Sequence, residues 1–181
     1  MQPSPATVLD FWFSAATQPH WFARSDDFDA RVQDQLGDLH TRAAAGELDA
    51  WASDPRGALA LVILLDQVPR NIHRGTPASF ASDDAALRVA AAAVDAGLDA
   101  DLSETERVFL YLPFEHSERL ADQDRCLALM SALPTPMWRD YAEKHRVIIA
   151  RFGRFPHRNA VLGRASTPEE QEFLSQPGSS F

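Results

Sequence analysis

The chain has 181 residues, 45% hydrophobic and 24% charged, with a formal net charge of −9 and a single cysteine, Cys126. That length and balance predict one soluble globular domain, residues 1–181, and a lone cysteine excludes an internal disulfide. An acidic surface repels phosphate backbones, which argues against a nucleic-acid partner, and the longest apolar run, eight residues at 58–65, falls far short of the roughly 20 that a membrane span needs.

The first stretch, MQPSPATVLDFWF, lacks the basic start and long apolar core of a signal peptide. Together with the cysteine count this predicts a cytoplasmic protein. Ser4-Pro5 is the first of four helix starts of one kind; the others are Asp54-Pro55, Thr135-Pro136 and Thr167-Pro168. Proline suits the first helical position because its missing N–H has no partner there, and a Ser, Thr or Asp before it can cap the next amides. The aromatics of LDFWF and HWF are expected to plug the open side of a helical layer. In 26–45, Phe28, Val32, Leu36 and Leu39 form one stripe. The next segment, 55–68, is apolar nearly all round and predicts the most buried helix. Segment 82–97 is alanine-rich, which favours helix. In 104–116, Val108, Phe109, Leu112 and His116 continue one face, and in 136–152 Tyr141, His145, Ile148, Ile149 and Phe152 do the same.

Ser103 with Glu106 and Thr167 with Glu170 have capping-box spacing. Gly46, Gly97 and Gly153 follow periodic segments and suit C-terminal caps. No stretch alternates long enough for a strand. The fold class is therefore all-α, with about eight helices. Short connections pair 26–45 with 55–68, 82–97 with 104–116, and 120–133 with 136–152, giving stacked antiparallel hairpins.

Several polar residues do not fit a plain core. Asp66 follows the apolar run near the end of the most buried helix, where a carboxylate opposes the helix dipole. Arg70, Arg74 and the arm at 151–164 are candidate partners; the group is either a structural tie or a pocket carboxylate. His116 and His145 interrupt apolar faces and could move protons if a carboxylate such as Glu118 or Asp66 orients them. Residues 144–164 carry six cationic side chains and no acid, so the remainder of the chain is at −15. That arm either neutralises acidic neighbours inside the fold or forms an anion site. Two stretches, LLDQVPRNIHRGT at 64–76 and RFGRFPHRNAVLGRAST at 151–167, end helices in the same proline-bent, arginine-rich way. No Gly-x-Ser-x-Gly elbow, zinc motif, calcium loop or glycine-rich phosphate loop is present. No cofactor and no dedicated metal site are expected, although a carboxylate–histidine metal site built across helices stays open.

LDFWF, LLDQVPRNIHRGTPASFASD, RVFLYLPFEHSE and RFGRFPHRNAVLGRASTPEEQEFL closely resemble the bacterial family known as domain of unknown function 924, over about residues 8–174. The resemblance implies an all-helical, tetratricopeptide-repeat-like right-handed superhelix. It brings no catalytic residues with it. Two functions are weighed on the residues themselves. In the first, a polar pocket binds or turns over a small anion, carboxylate or phosphate, by acid–base chemistry of a hydrolase or lyase. His116, Glu118 and Asp66 are its catalytic candidates. Gln67, Arg70, Asn71, His145, Arg154, His157, Arg158 and Asn159 are its ligand-binding candidates. In the second, a repeat scaffold binds a peptide or partner protein and the polar clusters are purely structural. Oligomeric state is not readable from the sequence.

Overall fold

The structure is a computed structural model that describes residues 3–179. Every regular element among these residues is helical and none is a strand, as the periodicity predicts. The chain divides into two compact units, residues 1–74 with 78–113, and 75–77 with 114–181.

The first unit begins with α1 (Pro5–Trp12) and α2 (Asp26–Ala44). Ser25 caps α2 by accepting from the Phe28 amide, and three aspartates in its first turn complement the helix dipole. The predicted stripe Phe28, Val32, Leu36 and Leu39 is buried. Next comes the all-apolar helix, α3 (Pro55–Val62), capped by Asp54 on the amides of Arg56 and Gly57. It was expected to stop at Pro69. Instead it passes through a π-helical turn, Ile63–Gln67, into α4 (Val68–Ile72), so nine α-helical segments make up eight helices among the described residues.

The π turn is how a buried helix tolerates this proline. Proline has no N–H and its ring crowds the carbonyl four residues back. The Val68 amide bonds Ile63 O, five residues back. Continuing either register leaves Leu64 O or Leu65 O facing Pro69, which cannot donate. Each carbonyl has another donor: His40 Nδ1 lies 2.8 Å from Leu64 O, and Ser82 Oγ donates to Leu65 O at 2.5 Å. His40 sits on α2, and Ser82 precedes α5 (Asp83–Asp95), so these bonds tie two further helices to the central one. Helix α5 packs on α3, and α2 packs on the π turn and α4. Trp12, fully buried, lies 6.2 Å from the Phe28 ring and edge-on to Phe109 at 5.8 Å. Of the N-terminal aromatics Trp12 is thus a core residue of this unit, Phe11, Phe13 and Trp21 are half-buried, and Phe22 is exposed.

Helix α6 (Glu104–His116) opens with the predicted capping box: Ser103 N–H donates to Glu106 Oε2 at 2.9 Å. Pro113 lies inside it, where the division between the units falls. In the second unit the α6 end is capped by one side chain. Gln123 Nε2 donates to the carbonyls of Phe114, Glu115 and Ser117. Gln123 belongs to α7 (Leu120–Ser131), which packs on α8 (Pro136–Phe152). Gly153 ends α8 in the left-handed region, at φ 68°. Ile148, Ile149 and Phe155 form the core there, with Phe152 and Phe173 against it. Thr167 and Glu170 complete the second predicted box at the start of α9 (Pro168–Leu174). Among the described residues no helix is long and apolar enough to cross a membrane.

Two helical glycines separate packing from propensity. A Cβ on Gly57 would collide with the backbone carbonyl of Trp51, whereas one on Gly37 meets only the flexible amide of Gln33. Gly57→Ala should therefore cost roughly 2 kcal/mol or more, and Gly37→Ala should be neutral or stabilising by up to about 1 kcal/mol. Urea unfolding of both variants checks this.

Candidate functional site

The residues singled out from the sequence fall into separate clusters. Asp66, Gln67, Arg70 and Asn71 belong to the first unit and the others to the second. The π turn places Asp66 at 0% exposure, with Oδ2 accepting from Gln67 Nε2 at 2.5 Å and Oδ1 3.3 Å from Arg70 Nη1. Arg70 forks onto Asp83 at 2.9 and 3.0 Å and also donates to Asp66 O. Burial alone would lower its pKa, but Asp66 and Asp83 more than reverse that, so the guanidinium stays charged. Asn71 Nδ2 donates to Gln67 O, one turn back. Arg74 forks onto Asp29 at 2.7 and 2.8 Å. The first arginine-rich stretch thus delivers its arginines to the unit's own aspartates.

In the second unit a chain of polar contacts runs Glu118–Arg164–Asn159–Glu170–Arg154. Arg164 forks onto Glu118 at 2.6 and 2.9 Å, and the Phe155 amide donates to the same carboxylate at 2.8 Å. Burial pushes the Glu118 pKa up, yet Arg164 and the Phe155 amide bring it below the usual value. Glu118 is therefore a charged anchor for the 155–164 segment, with lone pairs already engaged. Asn159, 1% exposed, accepts from Arg164 Nε and donates to Glu170. Arg154 forks onto Glu170 at 2.7 and 2.8 Å and, ahead of the capping-box amide, holds that carboxyl down at about 2.

The remaining candidates surround one ring. Phe155 is fully buried, with the Arg158 guanidinium 4.5 Å above its face. His145 stands edge-on to it at 5.8 Å and His157 lies at 5.5 Å. His145 Nδ1 lies 2.9 Å from Tyr141 O and 3.5 Å from Glu115 Oε1. The carbonyl accepts only, so Nδ1 carries the proton. Burial lowers the His145 pKa to about 3; the Tyr141 carbonyl opposes this, while His116, Arg158 and His157 reinforce it. Burial and then Arg158 lower His157 to about 4. Both imidazoles are neutral at pH 7. Burial and then Glu115 raise the Cys126 thiol well above its ordinary value, so it is an inert core group. Among the described residues no cluster of three His, Cys, Asp or Glu is placed to hold a metal ion.

Sequence reasoning did not single out Asp83 as the fork for Arg70, Phe155 as the ring the imidazoles share, or Glu170 as the partner of Arg154. Glu170 did carry a signal, its capping-box spacing. The first unit holds 17 carboxylates and eight Lys or Arg, the whole net charge of −9, and the second holds nine of each. The basic arm is thus balanced within its own unit.

Over residues 8–178 the sequence matches the family described as "Bacterial protein of unknown function (DUF924)". A solved structure of a protein of unknown function from Agrobacterium tumefaciens is similar. It is 44% identical, covers 94% of this chain and 96% of its own, and superposes with a TM-score of 0.89. No curated protein matches the chain.

Two outcomes follow from the geometry. Glu118→Ala should cost about 2 kcal/mol, because it leaves Arg164 without its fork and the Phe155 amide without its acceptor; denaturant titration at pH 7 reads this. Unfolded imidazoles take up protons near 6.5, folded His145 and His157 only near 3 and 4. The unfolded state therefore binds more protons in between. Stability should fall as pH drops from 6.5 towards 4, by up to about 1.4 kcal/mol per pH unit for each imidazole. His157→Gln should make that fall shallower.

Proposed function

The chain belongs to the DUF924 family, and we propose that it binds a small anion, a carboxylate or phosphate, at the cluster around Phe155. The supporting observation is the grouping of one guanidinium and two uncharged imidazoles on a single buried ring. A guanidinium fork matches both carboxylate and phosphate geometry. The neutral imidazoles add hydrogen-bonding atoms without a second charge. Perturbed titratable groups gathered in this way are a signature of functional sites. His116 influences the His145 titration and belongs to the same cluster. As an enzyme the protein would be a hydrolase or lyase acting through acid–base chemistry, in the cytoplasm.

A second reading, that the polar residues serve the fold alone, is favoured for Arg70, Arg154 and Arg164. Each is forked onto a carboxylate of its own unit. The anion-binding proposal is made for Arg158, His145 and His157, which gather on the Phe155 ring.

Calorimetric titration with inorganic phosphate and with succinate at pH 7 tests it. Binding of either should weaken at least about ten-fold in Arg158→Lys, which keeps the charge and loses the fork. It should be unchanged in Arg154→Gln. No heat at millimolar anion, or equal binding by Arg158→Lys, would sink the proposal.

A further inference from the structure

The first unit carries a depression of about 280 Å³ lined by Phe13, Gln18, Trp21, Ser103, Thr105 and Glu106. Its chemistry is unlike that of the imidazole cluster. Two walls are aromatic and nearly perpendicular: the Phe13 and Trp21 rings meet at 77° with centroids 5.6 Å apart. The indole is fixed, since Trp21 Nε1 donates to Trp12 O at 2.9 Å. The facing wall is the start of α6. There the Glu106 carboxylate is held by its capping box, with Oε2 accepting from the Ser103 amide at 2.9 Å and hydroxyl at 2.7 Å. Its other oxygen, Oε1, accepts from Arg56 Nη1 at 3.1 Å. The Arg56 side chain is 57% exposed, so that pair is solvent-screened and exchangeable.

We infer that this depression is a binding site for an organic cation, a guanidinium or alkylammonium group, seated in the corner that the touching Phe13 and Trp21 rings make and paired with Glu106. Three observations converge. Aromatic faces attract cations through the ring quadrupole, most strongly for indole. The carboxylate at the rim is pre-set by a backbone cap and already takes a guanidinium from the solvent side. The unit around it has a net charge of −9, which raises the local concentration of cations. A bound cation replaces the Arg56 guanidinium at Oε1, a like-for-like exchange, while the Ser103 bonds to Oε2 stay in place. The cation has two possible sources: a free amine or guanidine, or an arginine or lysine side chain of a peptide.

Calorimetric titration of the full chain with tetramethylammonium and with argininamide, at matched ionic strength, tests this. tert-Butanol serves as the neutral near-isostere of the first. The cations should bind and the alcohol should bind at least about five-fold more weakly. Glu106→Gln retains a capping-box residue and loses the charge, so it should fold normally and weaken cation binding about five-fold or more. Trp21→Ala should weaken it further. Arg56→Gln should tighten it, because the internal competitor is gone. A blocked tripeptide with a central arginine that binds more tightly than argininamide assigns the cation to a peptide; the reverse assigns it to a free molecule. Equal binding of the alcohol, insensitivity to Glu106→Gln, or weaker binding in Arg56→Gln would overturn the inference.

Discussion

The first unit is organised around an amide hydrogen that Pro69 does not have. The chain places a proline in its most buried helix, where no water can repair the backbone. An unpaired buried carbonyl costs about 1–3 kcal/mol, and Leu64 and Leu65 both face that loss. A π turn re-registers the backbone, and side chains from two other helices take the carbonyls. The same turn places Asp66 and Arg70 one helical turn apart, and Arg70 reaches on to Asp83. One covalent constraint thus determines where α2 and α5 attach and where the buried carboxylate lies.

Charge is distributed by a similar local logic. A stretch with six cations and no acids looks like an anion lure when read along the chain. In space Arg151, Arg154 and Arg164 each meet a carboxylate of the same unit. Arg158 is buried over an aromatic ring beside imidazoles. Removing cations from water and pairing them with buried acids adds little net stability but fixes geometry. The cost of burying His145 and His157 is expressed instead in their titration.

Local features were legible in the letters and long-range ones were not. All four Ser/Thr/Asp-Pro starts begin helices, both capping boxes form, and Gly46, Gly97 and Gly153 have positive φ. Each is decided within about four residues of sequence. The π turn escaped because periodicity over five residues cannot distinguish it from an α turn, and the proline read as a stop. The carboxylate partners escaped for a different reason. Glu118 and Arg164 lie 46 residues apart and Arg154 and Glu170 lie 16 apart, and nothing in either stretch names the other. Of the candidate site, the residue types were readable, but their division into anchors and an imidazole cluster depended on those distant pairings.

Glu170 caps α9, accepts the fork of Arg154 and takes the amide of Asn159, which in turn holds Arg164 and through it Glu118. Such a chain cannot drift one letter at a time. A lone exchange removes a bond from each neighbour it touches, so the effects of exchanging two adjacent members will not add. The five residues thus form one coupled set. Across descendants of this sequence they should be kept or replaced as a set, leaving the exposed positions between them to vary independently.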